Sequence, residues 1–161
     1  MHMANTDFPE FLAGQTADLI KQADAKATST LYVLGISTAA LMARLTAVKS
    51  SGAMTPQWTM FFAIAIVMII LAFKSIIAVI YPRLGKPAKN DLTYFESVAS
   101  MTKESHAEQG IAMTDAEISR ALHGNAWSLA QVAHRKYHAL RIALAMTGIS
   151  IASTILILLL A

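Results

Sequence analysis

Twenty consecutive residues, Ile142 to Ala161, carry no charge. Hydrocarbon supplies no hydrogen-bond partners, so such a run crosses a bilayer only as a helix whose backbone groups satisfy one another. Two more segments behave the same way. Ala27 to Val48 is 22 residues with Arg44 as its only charge. At 1.5 Å per residue it extends about 33 Å, against a hydrocarbon layer of roughly 30 Å. Thr59 to Phe73 is uncharged, then comes Lys74, then the apolar Ser75 to Ile80. Only 14% of the 161 residues are charged, against about a quarter in soluble domains. The apolar excess is clustered in these runs, which separates membrane spans from a large buried core.

The punctuation agrees. Ser50-Ser51-Gly52 offers a glycine stop, and Thr55-Pro56 offers an N-cap followed by proline at the first helical position. Trp58 stands where an interfacial anchor belongs, and Tyr81-Pro82 closes the second run. Phe8, Phe11, Leu19 and Ile20 make the segment from Asp7 an amphipathic helix. Met1-His2-Met3 reads as a vector-derived start, and no signal peptide follows it.

From Arg83 to Arg141 the composition changes, with eight of the thirteen Lys and Arg residues, six acids and four histidines. Asn90 or Asp91 caps a short helix to about Ser105, and Gly110 interrupts the pattern. Thr114-Asp115-Ala116-Glu117 is a capping box that opens a long helix. Nothing breaks that helix before Ile142, so it is expected to run on into the third crossing. The fold class is therefore an all-α membrane protein with three transmembrane helices, the third continuous with a long cytoplasmic helix. Its expected segments are an N-terminal cytoplasmic helix (1–26), crossings at 27–48, 57–81 and 142–161, and a cytoplasmic helical region (82–141). The basic residues place the N-terminus and the long region inside, leaving Ala161 outside.

Several chemistries are excluded or weak. Without cysteine there are no disulfides, thiolate sites or cysteine nucleophiles. The net charge of +3 is too small and too interleaved with acids for a polymer of nucleic acid. His134 and His138 are four apart, but Arg135 stands where a zincin has glutamate; the reading is solvated histidines and no metal. Glu104 and Glu108 suit an ordinary solvated face. No Gly-x-Ser-x-Gly elbow or phosphate loop occurs, so the chain is not expected to be an enzyme and needs no cofactor. Lys74 and Arg44 lie near the ends of their crossings and are expected to snorkel.

The inner membrane surface carries the more informative group. Asp24 and Lys26 precede the first crossing; Arg135, Lys136, Tyr137 and Arg141 precede the third. Packed side by side, they share one depth. One reading is an ion pair of Asp24 with Arg141 or Lys136 beside a basic belt for anionic lipid. The other is an anionic-ligand pocket in which Lys and Arg hold a phosphate, Tyr94, Phe95 or Tyr137 stacks on a base, and Asn125 or His123 hydrogen-bonds it.

Ala23-Asp24-Ala25-Lys26-Ala27, Tyr94-Phe95, His123-Gly124-Asn125, Leu129-Ala130 and Lys136-Tyr137-His138-Ala139-Leu140-Arg141 resemble the transmembrane effectors of Pycsar antiphage systems. The resemblance extends from about Asp18 to Gly148. It implies a bacterial defence effector of the inner membrane. A partner cyclase makes cyclic CMP or cyclic UMP, and the nucleotide switches the effector to impair the membrane, so that the cell stops growing or dies. It also implies Asp24, Lys26, Tyr94, Asn125, Lys136, Tyr137 and Arg141 as sensing positions. No cyclic-nucleotide-binding barrel fits in roughly 59 residues, so the pocket would be helical. Three helices enclose no pore, so a homo-oligomer is expected. The alternative is a passive helical scaffold or channel-like subunit that recruits a cytoplasmic partner through the helix over 114–140.

Overall fold

The computed structural model describes residues 7–52, 55–81 and 101–159. Four helices occur among them: α1 (Asp7–Ser51), α2 (Pro56–Ile80), α3 (Lys103–Ala112) and α4 (Asp115–Leu159). Three of these, α1, α2 and α4, are long and apolar enough to cross a membrane. The expected caps are present. Gly52 takes φ +69° just beyond α1, a conformation open to glycine without a Cβ penalty. The Thr55 hydroxyl accepts the Trp58 N–H at 3.4 Å, with Pro56 at the first helical position. α1 passes through Lys26 without interruption, since nothing between Ala23 and Thr30 breaks a helix. α4 runs unbroken from the capping box to Leu159.

One expectation is corrected. α3 runs through both Ser105 and Gly110, so among the described residues neither ends a helix; Asn90 and Asp91 lie outside those residues. The Thr102 hydroxyl accepts the Ser105 N–H at 3.2 Å, and the break falls after Ala112, where Thr114 caps α4.

The chain divides into two compact units, residues 1–21 with 83–134, and residues 22–82 with 135–161. The second is a three-helix bundle. Its buried positions on α1 are Ala23, Ala27, Thr30, Leu34, Ser37, Leu41 and Val48. On α4 they include Lys136, Leu140, Ala143, Thr147, Ser150, Thr154 and Ile157, and on α2 Trp58, Phe62, Ala65, Ala72, Ile76 and Val79. Steps of three and four alternate, the 3.5-residue repeat of left-handed knobs-into-holes packing. Asp24 pairs with Lys136 and, further along both helices, Ser37 with Thr154, so α1 and α4 are parallel. α2 returns antiparallel: Ala72, Ile76 and Val79 join Ala23, Ala27 and Leu34 in one cluster, and Trp58, Phe62 and Ala65 join Leu41 and Val48 in another. Alanines at the contacts let backbones approach closely, which drives helix association where lipid cancels the hydrophobic effect.

Outside, the bundle presents Tyr32, Ile36, Val67, Ile70, Leu156 and Leu158. Large apolar side chains face outward while Thr30, Ser37, Thr147, Ser150, Ser153 and Thr154 face inward, as expected of a body solvated by lipid.

In the first unit, the Thr114 backbone N–H and hydroxyl both donate to Glu117 Oε2 at 2.8 Å, and the Glu117 N–H returns to the Thr114 hydroxyl at 3.4 Å. This is the capping box read from the sequence.

Candidate functional site

Lys136 lies on the buried stripe of α4, seven positions before Ala143, so its side chain is only 6% exposed. An ammonium at that burial is costly without a counter-charge. Asp24 supplies one. It follows buried Ala23 at the edge of the α1 stripe, and its Oδ1 accepts from Lys136 Nζ at 2.5 Å while the carboxylate stays 44% exposed. Of the two partners left open for Asp24, the fold selects Lys136. One of the three ammonium donors is used by Oδ1.

Around the pair lie further groups of the same unit. Lys26 Nζ sits 5.9 Å from the centre of the Tyr137 ring, within cation–π range. Tyr137 packs half-buried against the cluster of Ala23, Ala27 and Leu140. Arg141, one turn beyond Tyr137, is exposed and makes no ion pair among the described residues. The result is a buried base held by a half-open acid, with an exposed base and an aromatic ring beside it and Arg141 one turn further along α4. Such a group suits a small anion attached to a flat ring.

Five of the seven predicted sensing positions, Asp24, Lys26, Lys136, Tyr137 and Arg141, therefore fall in one unit. Asn125 is half-buried on α4 in the other unit. Tyr94 and Phe95 lie outside the described residues.

Two clusters escaped the sequence reading. The first joins Arg44 to Trp58, two residues read separately in the sequence. Trp58 is buried beside Phe62, with the Arg44 guanidinium 5.4 Å from its ring centre. Fourteen residues separate them across a turn, too far for a local pattern to couple them. The second cluster is a row of buried hydroxyls, Thr30 and Ser37 on α1 and Thr147, Ser150, Ser153 and Thr154 on α4. Their seven-residue recurrence in otherwise apolar runs was the available signal.

A family model, the Pycsar effector protein domain, matches residues 10–161. The chain belongs to the Pycsar effector family. As a Pycsar effector it is a membrane-associated protein of antiphage defence, in a family that takes a cyclic nucleotide signal from a partner cyclase. No curated protein and no solved structure matches it.

Proposed function

We propose that this Pycsar effector senses a cyclic pyrimidine nucleotide, cyclic CMP or cyclic UMP, through the group around Lys136, and in response impairs the bacterial inner membrane until the cell stops growing or dies. The supporting observation is the Asp24–Lys136 pair, a buried ammonium held by a carboxylate that water still reaches. The cyclic phosphate competes with Asp24 for Lys136, Arg141 adds a charge-assisted bond, and Tyr137 stacks on the base. Binding favours one packing of α1 against α4 over another, and the unbroken α4 carries the change along the span. The N-terminus lies in the cytoplasm, where a cyclase product is available, and several copies assemble in the membrane.

A second reading has an observation of its own. Trp127 on α4 is 66% exposed, a large aromatic side chain suited to recruiting a protein partner in a scaffold role.

The test is membrane polarisation in cells that express the protein together with a cyclase making cyclic CMP, cyclic UMP or cyclic AMP. Depolarisation with one pyrimidine nucleotide only is expected. No response to any of the three, with the protein inserted, would favour the scaffold.

A further inference from the structure

The bundle is short of acid. Within residues 22–82 and 135–161 Asp24 is the one carboxylate side chain, against seven Lys and Arg. Asp24 is taken by Lys136, and it lies twenty residues, about 30 Å, from Arg44 along α1. Arg44 makes no ion pair or hydrogen bond among the described residues, and its Nε is enclosed with no partner. A guanidinium keeps its charge at any ordinary pH, so it cannot escape burial by losing its proton as a lysine can. Its counter-charge has to come from outside the bundle.

The geometry narrows the choice of anion. Arg44 leaves α1 four residues before Val48, about 6 Å further into the span. Its guanidinium nevertheless lies 5.4 Å from the ring centre of Trp58, a residue in the first turn of α2. The side chain has therefore climbed toward the end of the span, where phospholipid headgroups begin. Trp58, buried against Phe62, fixes where the guanidinium sits. Of the three guanidinium nitrogens only Nε is enclosed without a partner, so both Nη atoms reach the bundle surface. The edge left open is the two-pronged one, which matches two oxygens of a phosphate.

We infer that Arg44, seated on Trp58, is a phospholipid site: it holds the phosphate of one bilayer lipid at the hairpin end of the bundle, and the lipid supplies the negative charge that the chain lacks there. Lys49, exposed in the last turn of α1, adds attraction for lipids of net negative charge. Nucleotide sensing plays no part in it, because the site lies at the other end of α1 from Asp24.

Native mass spectrometry of the full chain, purified in a maltoside detergent that carries no phosphate, reads the lipid retained as phosphatidylglycerol is titrated in. Arg44→Met is expected to weaken retention at least fivefold. Lys74→Met, which removes an exposed base elsewhere in the span, should leave it unchanged. Unfolding midpoints in the same detergent without lipid separate a lost site from a lost fold. Arg44→Lys, the milder change, keeps the charge but not the fork and should also retain less lipid than the wild type. Diacylglycerol, with the same acyl chains and no phosphate, should bind all the proteins equally weakly, and inorganic phosphate should not compete. Equal retention by the wild type and both Arg44 variants, or an equal loss in Lys74→Met, overturns the site. Displacement of the lipid by inorganic phosphate overturns the lipid as its occupant.

Discussion

Lys136 meets Asp24 across 112 positions of chain, whereas Ser37 faces Thr154 across 117. In a parallel helix pair, that difference of five residues sets the Lys136 backbone about 7 Å behind Asp24 along the axis, and the four-carbon stem covers the interval. Asp24→Asn strips the counter-charge from a nearly buried ammonium. It should lower unfolding stability in detergent by about 2 kcal/mol, less than for a fully buried pair because water reaches Asp24. Adding Lys136→Met should restore most of the loss, as a double-mutant cycle would show.

Sensing is separable from stability. Lys136→Ala and Arg141→Ala should each abolish nucleotide-dependent toxicity while membrane insertion persists, and Arg141→Ala should leave the unfolding midpoint unchanged because its side chain is exposed. Growth curves with the cyclase, set beside membrane fractionation, check both. Unaltered toxicity in both variants would remove these residues from the sensing role.

Arg44 and Trp58 make a prediction of opposite sign. Arg44 Nε is buried without a hydrogen-bond partner among the described residues. Arg44→Met should therefore be neutral or stabilising by about 1 kcal/mol. Trp58→Ala empties a packed site beside Phe62 and should be destabilising by about 3 kcal/mol. Unfolding midpoints of the two variants decide the matter.

The start of α4 depends on pH. The Thr114 backbone N–H, then its hydroxyl, and to a lesser degree the charge of Arg120 hold the Glu117 carboxyl below its ordinary value. A carboxyl lowered on folding stabilises the fold above its unfolded pKa, and that contribution is lost as pH falls through the folded pKa. Amide exchange over 115–118, corrected for intrinsic rate, should speed up below about pH 4. Glu117→Gln should flatten the dependence.

Crossings, turns and caps were legible because each is local: Gly52, Thr55-Pro56 and Thr114-x-x-Glu117 act within a few residues of themselves. The site was half legible. That Asp24 would meet a base at the start of the third crossing followed from shared depth. Which base could not follow, since Lys136 and Arg141 lie little more than a turn apart and only the register of α4 against α1 puts Lys136 on the buried stripe. Arg44 beneath Trp58, and the enclosure of Thr147 and Ser150, depend on which faces the three helices turn toward one another. A span flanked by lipid hides that choice, because its outward face is as apolar as its inward one.

The hydroxyls of α4 are spaced like the teeth of a rack. Carry that helix forward by four residues, about 6 Å, and Ser150 arrives where Thr154 now meets Ser37. The new separation, 113, is within one residue of the 112 at which Lys136 and Asp24 are joined. The lysine, now stretched along the axis, would then stand level with its acid. Hydroxyls and charges thus set two different registers for one helix pair, and the lysine stem makes up the difference.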